Sequence, residues 1–379
     1  MNFDLSDAMR EIAKLTRAQK LTEATRLIQS TLRGRNLPPS NGDPGQHETH
    51  DKPMRFRRPL GDVVNTLRRL KQGLEAPSAK RRKAVVVPEG AQFLSSSFEC
   101  PAGHRDYRLY IPSNHEGTVR PLIVMLHGCK QDPVDFAIGT QMNAIAEEHG
   151  LYVLYPAQSA QSNPMACWNW FNPKDQLRDS GEPTILSGMT RHIVSQHNID
   201  QRRVFVAGLS AGGAMSAILG ATYPDIYAGI GVHSGLPYQA ANDVVSAFAA
   251  MRGEASANRN IRGTPRLPTI VFHGDADPTV HPSNADRIIA SQAQAGDTTE
   301  VEISADRTYT RRVTRERTGK LLNEHWLIHK GQHSWSGGSM EGSFTDPHGP
   351  NASREMVRFF LQVVPHESRS DSCMVMQSD

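Results

Sequence analysis

Short apolar runs alternate with segments of helical spacing from about residue 85 to residue 363 of the chain. Runs rich in β-branched and aromatic residues predict strands, and apolar positions three and four residues apart predict helices. Strands are predicted at 84–88, 93–98, 107–111, 122–126, 151–156, 204–207, 228–232, 269–272 and 325–329. Helices are predicted at 135–149, 184–197, 213–222 and 353–363. This alternation predicts an α/β fold, a mostly parallel, doubly wound sheet with helices on both faces.

The first 84 residues have a different pattern. Apolar positions at helical spacing over 4–33 predict one small helical hairpin, which cannot bury its own apolar face alone. Residues 34–52 are rich in Pro, Gly and Asn and predict a linker, and 61–72 predict a short amphipathic helix. We therefore expect three parts, which are a helical and partly disordered extension over 1–84, an α/β domain over 85–365 and a flexible tail over 366–379.

Positive charge is concentrated in this extension. Residues 1–90 contain 18 Lys and Arg against 10 Asp and Glu, whereas the whole chain carries a net charge of only +3. Basic clusters at 55–58 and 80–83 are typical of a solvated extension, with docking to an anionic surface such as nucleic acid or a membrane as the alternative. Phe56 is the only aromatic residue beside them, so base stacking and a nucleic-acid partner are not expected.

Several absences limit the class of protein. No run of about 18 apolar residues occurs, so no transmembrane helix is predicted. The first residues lack the apolar core of a secretory signal, and we expect a cytoplasmic protein. Four cysteines without a Cys-x-x-Cys pair predict neither a disulfide framework nor a zinc ribbon. No cofactor or metal site is predicted, because Gly331 and a strand pattern argue against a helix that would align His325, His329 and His333.

The segment Gly208-Leu-Ser-Ala-Gly212 directly follows an apolar, β-branched run and precedes small residues that suit a helix. The pattern Gly-x-Ser-x-Gly is typical of a tight strand-to-helix turn that exposes a nucleophilic serine at the edge of a parallel sheet. An ordinary structural turn is the alternative, because a pattern with three fixed positions recurs by chance. The flanking strand and helix favour the first interpretation, so Ser210 is the candidate nucleophile.

A serine nucleophile needs a base, and that base needs an orienting carboxylate. The run 269–272 leads into a turn with two carboxylates, Asp275 and Asp277. We favour Asp277 as the acid, because it lies far enough along the loop to reach a neighbouring segment, and we expect Asp275 to cap the turn. Among the 16 histidines, His333 lies in a glycine-bounded loop after the last predicted strand, and this position favours it as the base.

Stabilisation of an oxyanion needs two backbone N–H groups. The residue after the nucleophile, Ala211, is the first candidate donor. The second comes from the loop after 122–126, where the backbone of Gly128 and Cys129 is favoured. His127 in the same loop is expected to hold the loop in shape rather than to react.

Five motifs occur in order within residues 93–365, and together they resemble the polyhydroxybutyrate depolymerase family of esterases, which includes feruloyl-type esterases. They are LHGCKQ at 126–131, CWNWF at 167–171, GLSAGG at 208–213, HGDAD at 273–277 and GQHSW at 331–335. The resemblance implies an α/β-hydrolase fold, carboxylic-ester hydrolysis and a triad of Ser210, Asp277 and His333. It also suggests substrate contacts, with core packing as the alternative, for the tryptophans Trp168, Trp170 and Trp335.

Cys129 and Cys167 fall inside two of these motifs, so a disulfide between them and two free thiols both remain open. Secreted members of the family usually carry a signal peptide, and some a polymer-binding domain. Neither is visible here, so an extracellular location is the alternative to a cytoplasmic one. We expect a serine esterase for short-chain, aryl or feruloyl, or hydroxyalkanoate oligomer esters, acting through an acyl-enzyme. Acyl transfer by the same triad and polymer or granule binding through residues 1–84 are the alternatives.

Overall fold

Ten strands form one sheet in the described part of the chain, which in this computed structural model comprises residues 84–254, 266–304, 306 and 308–364. They are β1 (Gln92–Cys100), β2 (Gly103–Ile111), β3 (Arg120–Leu126), β4 (Tyr152–Pro156), β5 (Ile199–Leu209), β6 (Gly229–His233), β7 (Thr269–Gly274), β8 (Thr298–Ile303), β9 (Tyr309–Arg315) and β10 (Leu321–Ile328). Their order across the sheet is β1-β2-β4-β3-β5-β6-β7-β10-β9-β8. Six neighbouring strands in this order pair in parallel: β4, β3, β5, β6, β7 and β10. Antiparallel strands flank them on both sides.

Helices cover both faces of this sheet. Those described are α1 (Pro133–Thr140), α2 (Met142–His149), α3 (Gly181–Gln196), α4 (Ala211–Thr222), α5 (Val244–Met251), α6 (Ser283–Ala290) and α7 (Ala352–Val363). Alternate residues of a strand point to opposite faces. In β3, Leu122 and Val124 accordingly belong to the same apolar cluster as residues of α3, α4 and α5, whereas Ile123 and Met125 belong to the cluster that includes residues of α1, α2 and α7. The predicted α/β class with a mostly parallel, doubly wound sheet is confirmed.

The carboxyl ends of the parallel strands position the site. Every residue of β4, β6 and β7 is buried, as expected for parallel strands covered on two faces. The loops that follow β3, β5, β6, β7 and β10 leave the sheet at the same edge, which is where such folds place their chemistry.

One buried carboxylate ties the last parallel strand to the helix layer. Glu324 on β10 accepts hydrogen bonds from Arg311 on β9 at 2.8 and 3.1 Å and from Arg358 on α7 at 2.6 Å. Burial opposes the ionised form of Glu324, but these bonds and the two positive charges outweigh it, so the pKa of the carboxyl is lowered. The ionised carboxylate therefore forms two salt bridges, which hold β9, β10 and α7 together.

Several sequence predictions of elements were wrong. Residues 84–88 form no strand, since Val86 is 85% exposed and the run has no described partner strand. The predicted helix over 135–149 is two helices, because Gln141 adopts a left-handed conformation with φ of 54° between them. Strands β8 and β9 and helices α5 and α6 were missed. The antiparallel strands alternate Thr, Glu and Arg with few apolar residues, so they lack the apolar run that signals a strand.

The predicted extension over 1–84 lies outside the described residues except for residue 84, and the tail over 366–379 also lies outside them. The proposed domain bounds therefore stay predictions. None of the helices in the described ranges is both long enough and apolar enough to cross a membrane.

Candidate active site

Ser210 occupies the sharp turn between β5 and α4. Its backbone has φ of 56° and ψ of −118°, a conformation that costs energy for any residue with a side chain. A Cβ on Gly208 would strike the backbone of Gly212, and a Cβ on Gly212 would strike the carbonyl oxygen of Leu126. Only glycine therefore allows strand and helix to approach so closely at these two positions. The result is a half-buried serine at the carboxyl edge of the sheet.

Asp277 lies in the turn after β7, two strands away from Ser210. Its Oδ1 accepts the N–H groups of Thr279 and Val280 at 2.8 and 2.9 Å. Its Oδ2 accepts a hydrogen bond from Nδ1 of His333 at 2.7 Å. Burial opposes ionisation of Asp277, but the interactions with His333 and the two backbone N–H groups outweigh it and lower the pKa of the carboxyl.

His333 lies in the loop that follows β10, and this loop packs tightly against the turn after β7. A Cβ on Gly274 would strike the carbonyl of Gly331, and that carbonyl accepts the N–H of Ala276 at 3.1 Å. The two loops are thus held at the distance that joins His333 to Asp277. Because β5, β6, β7 and β10 are successive neighbours in the sheet, Ser210, Asp277 and His333 lie in loops at the same edge of it.

Asp275, the competing carboxylate, has a different partner. Its Oδ2 is 3.0 Å from Nδ1 of His329 and its Oδ1 accepts the N–H of Lys330 at 2.6 Å. The expectation that Asp275 caps its own turn was wrong, because the caps of that turn are the two bonds to Oδ1 of Asp277. Asp275 instead fastens the end of β10 to the end of β7.

The loop after β3 contains a backbone donor, the N–H of Cys129, whose acceptor is not among the described residues. The N–H of Gly128 donates to Oε1 of Gln131 at 2.9 Å, whereas no acceptor among the described residues takes the N–H of Cys129. Ala211 begins α4, and the N–H groups of a first helical turn have no partner within their helix. Of the two residues predicted as the second oxyanion donor beside Ala211, Cys129 rather than Gly128 therefore has its N–H available.

His127 holds this loop in place, as the sequence predicted. It is 1% exposed, and its Nε2 accepts the N–H of Gln158 at 3.1 Å while its Nδ1 donates to the carbonyl of Gly128 at 2.8 Å. Burial lowers the pKa of the imidazole. Both ring nitrogens are occupied, so the side chain is a structural one.

Cys129 and Cys167 form a disulfide, with Cα atoms 4.2 Å apart. Beside it, the N–H of Lys130 donates to the carbonyl of Met165 at 2.8 Å. Of the two possibilities that the sequence left open, the structure contains the bond. It fixes the loop after β3 to the aromatic segment over 167–171.

The three tryptophans predicted to contact substrate are almost entirely buried. Trp168, Trp170 and Trp335 are 0%, 6% and 1% exposed. Nε1 of Trp168 donates to the carbonyl of His127 at 3.0 Å, and Nε1 of Trp335 donates to Oγ of Ser353 at 3.1 Å. So little ring surface is open that the structure favours the packing alternative, in which these rings support the loops around the site.

Sequence reasoning missed His233, which ends β6 between the strands of the proposed nucleophile and acid. Its carbonyl accepts the N–H of Ser210 at 2.8 Å, and its Nε2 accepts the N–H of Ser336 at 3.0 Å. The ring stacks on Trp335 with centroids 5.1 Å apart, and burial lowers its pKa to about 3. A neutral imidazole thus joins the turn of Ser210 to the loop of His333. In the sequence, only its position at a strand end could have signalled it.

No cluster of three or more His, Cys, Asp or Glu side chains with the arrangement of a metal site occurs within the described ranges. His325 lies on β10 and His329 directly follows that strand, so neither lies on a helix.

Comparison with known proteins identifies the family. Residues 105–317, more than half of the chain, match the model of the family described as esterase PHB depolymerase. The chain belongs to this esterase family. It is 34% identical over 205 residues to poly(3-hydroxyalkanoate) depolymerase C of Paucimonas lemoignei. The matched region covers 51% of this chain and 49% of that protein. It is also 29% identical over 201 residues to probable acetylxylan esterase A of Aspergillus fumigatus, covering 48% of this chain and 53% of that one.

The chain spans about half the length of the curated relatives that it matches. Among solved structures, acetyl xylan esterase from Aspergillus awamori superposes with a TM-score of 0.50 at 18% identity, over 64% of this chain and 93% of that one. At this identity the similarity concerns the fold alone. It agrees with the α/β-hydrolase architecture that the sequence motifs implied.

Proposed function

We propose that the protein hydrolyses carboxylic esters with Ser210 as nucleophile, His333 as general base and Asp277 as the orienting acid. The observation that carries the proposal is the 2.7 Å hydrogen bond between Nδ1 of His333 and Oδ2 of Asp277, at the sheet edge that bears Ser210. An imidazole held through Nδ1 has its Nε2 free to accept a proton. Membership of an esterase family supports the reaction type.

In this mechanism Oγ of Ser210 attacks the ester carbonyl while Nε2 of His333 takes its proton. Asp277 keeps the remaining imidazole proton on Nδ1 and stabilises the imidazolium. His333 then protonates the departing alkoxide, which leaves as the alcohol and gives an acyl-enzyme on Ser210. A water molecule, deprotonated by His333, attacks the acyl group, and the acid is released as His333 returns the proton to Oγ of Ser210.

The N–H groups of Cys129 and Ala211 are the proposed donors to the tetrahedral oxyanion. Both belong to fixed backbone, since the disulfide anchors the first and α4 begins with the second. Donors that need no rearrangement during the reaction stabilise developing charge most effectively. The positive end of the α4 dipole adds to this effect.

We infer that the substrates are short-chain, aryl or feruloyl esters, or hydroxyalkanoate oligomers. Support comes from the relatives, whose names are poly(3-hydroxyalkanoate) depolymerase, acetylxylan esterase and feruloyl esterase B. A panel of p-nitrophenyl acetate, methyl ferulate and a hydroxybutyrate trimer, compared by kcat/KM, separates these classes. Docking to a granule through residues 1–84 is a further proposal and concerns residues outside the described ranges.

We also propose that the protein works outside the reducing cytoplasm, contrary to the expectation from its first residues. Disulfides persist in oxidising compartments and are rare where glutathione keeps thiols reduced. The bond between Cys129 and Cys167 supports the extracellular alternative. Thiol counting on protein isolated from each compartment of its native cells tests this, since reduced Cys129 and Cys167 in a cytoplasmic pool would contradict it.

Ser210→Ala tests the mechanism directly. We expect kcat for p-nitrophenyl acetate to fall by roughly 10⁴-fold or more, with an unchanged circular dichroism spectrum, because the nucleophile alone is lost. Ser96→Ala, an exposed serine on β1, is the matched control and should keep full activity. After incubation with a slowly hydrolysed ester, mass spectrometry of the protein should find the acyl group on the wild type and not on Ser210→Ala. An active Ser210→Ala enzyme would overturn the assignment, and ester products formed with added methanol would favour the acyltransferase alternative.

A further inference from the structure

A separate cavity of about 250 Å³ lies between α6 and strands β8, β9 and β10. On the helix side, Asp286, Ile289 and Ala290 line it, positions that share one face of α6. On the sheet side, Asn323 and His325 line it, two residues apart on β10 and therefore on the same face. None of these side chains takes part in the mechanism proposed above.

Two buried side chains in this cavity have polar atoms without partners. Asn323 is 1% exposed, and within the described residues neither its Nδ2 nor its Oδ1 forms a hydrogen bond. His325 is 3% exposed, and its Nε2 likewise finds no partner there. Burying an unpaired amide opposes folding, and native proteins rarely leave such groups unsatisfied. These atoms therefore point to an occupant that completes their hydrogen bonds.

The position of the proton on the His325 ring follows from its contact with Arg312. Nη1 of Arg312 is 3.3 Å from Nδ1 of His325, and a guanidinium can only donate. Nδ1 is then the acceptor, and the proton of the neutral ring lies on Nε2. Burial lowers the pKa of His325 to about 4, with the charges of Asp286 and Arg312 acting in opposite directions, so the ring is neutral at neutral pH. The side chains that line the cavity thus include an amide donor, an amide acceptor and an imidazole N–H donor without a described partner.

The charges around the cavity favour an uncharged occupant. Oδ1 of Asp286 and Nη1 of Arg312 are 3.9 Å apart, and their formal charges cancel. Ile289 and Ala290 supply apolar surface. The volume equals that of about eight water molecules, enough for a compact organic molecule.

We propose that this cavity is a binding site for a small uncharged molecule with a carboxamide edge, an N–H beside a C=O. Such an edge pairs reciprocally with the amide of Asn323, and its carbonyl has a second lone pair for Nε2–H of His325. Asp286 and Arg312 also line a neighbouring cavity of about 510 Å³ that includes Asp277. The two cavities therefore share a wall, although the proposal concerns binding and does not depend on the esterase reaction.

Benzamide, which has one primary carboxamide on an apolar ring, is the probe. Isothermal titration of the full chain should give saturable binding with a Kd of about 1 mM or lower. Benzoate, which has the same shape but a negative charge, should bind at least tenfold more weakly. Asn323→Leu, of similar volume, should weaken benzamide binding at least tenfold without lowering the Tm, because it removes buried polar atoms that have no protein partner. Glu300→Gln on β8, which does not line the cavity, is the control and should bind as the wild type does.

A measurement on the wild type guards against a variant that fails to fold. Benzamide should shift the ¹⁵N resonance of Nε2 of His325 and leave that of the exposed His281 unchanged. The proposal is overturned if benzamide does not saturate, as expected of a cavity that holds only ordered water, or if benzoate binds equally well. It is also overturned if Asn323→Leu binds benzamide normally, or if the His325 resonance does not move.

Discussion

Replacing Asp277 by Asn changes one atom at the hydrogen bond on which the proposed mechanism depends. Oδ1 can still accept the N–H groups of Thr279 and Val280, so the turn after β7 should keep its shape. In place of Oδ2, however, the amide presents an N–H₂ donor at 2.7 Å from Nδ1 of His333. The imidazole must then move its proton to Nε2, where it can no longer accept the proton of Ser210.

The size of the effect follows from this tautomer change. An acid-to-amide change that leaves the geometry of a Ser-His-Asp triad intact lowers kcat by about 10⁴-fold. At 1.36 kcal/mol per decade this corresponds to about 5.5 kcal/mol of lost transition-state stabilisation. We therefore expect Asp277→Asn to lose about 10⁴-fold in kcat for p-nitrophenyl acetate, while KM changes little and the fold is retained.

Asp275→Asn is the matched control. The side chain of Asp275 is 38% exposed and pairs with His329, and a partly solvated surface pair contributes less than about 1 kcal/mol. Initial rates of p-nitrophenol release at pH 8, with Tm measured on the same samples, should show near-normal kcat for Asp275→Asn. The reasoning is refuted if the two variants lose activity equally, or if Asp277→Asn keeps more than a tenth of the wild-type kcat.

Three further changes test other parts of the structure. Gly212→Ala places a Cβ on the carbonyl of Leu126, so urea unfolding should show a loss of about 2 kcal/mol or more, and a wild-type midpoint would contradict the close approach. Reducing the Cys129–Cys167 bond, with a sequence separation of 38, should cost about 4 kcal/mol, seen as a lower Tm in dithiothreitol. Glu324, whose pKa is lowered, contributes stability that is complete above the unfolded carboxyl pKa of about 4.3 and is lost as pH falls through the folded value. Urea midpoints from pH 7 to pH 3 should therefore fall less steeply in Glu324→Gln, and parallel curves would count against the argument.

Local features of the fold and site were predictable from the sequence, because short-range sterics determine them. The glycines around Ser210 are required within a single turn, so the pentapeptide together with its flanking strand and helix indicated the bend. The central strands were predictable because two-sided burial requires continuous apolar runs. Strands β8 and β9 were not, since strands near the edge of a sheet can be built largely from Thr, Glu and Arg.

Features that depend on packing between distant segments were not predictable. The structure brings Asp277 rather than Asp275 to His333, and Asp275 binds His329 and Lys330 instead of capping its turn. His329 follows β10 and lies 54 residues after Asp275 in the chain, and no local pattern encodes this contact. The role of His233 is hidden for the same reason, since Ser336 becomes its neighbour only once β6 and β10 lie in one sheet.

The late position of β10 in the chain has a consequence during protein synthesis. The ribosome completes the turn of Ser210 long before it makes the loop of His333, and β10 must then insert in parallel beside β7. Pairings between segments so distant in sequence form slowly. Under the proposed mechanism, nascent chains and prematurely terminated products are therefore inert. In a refolding experiment the first turnover of ester would time the insertion of β10, the step that completes the parallel sheet.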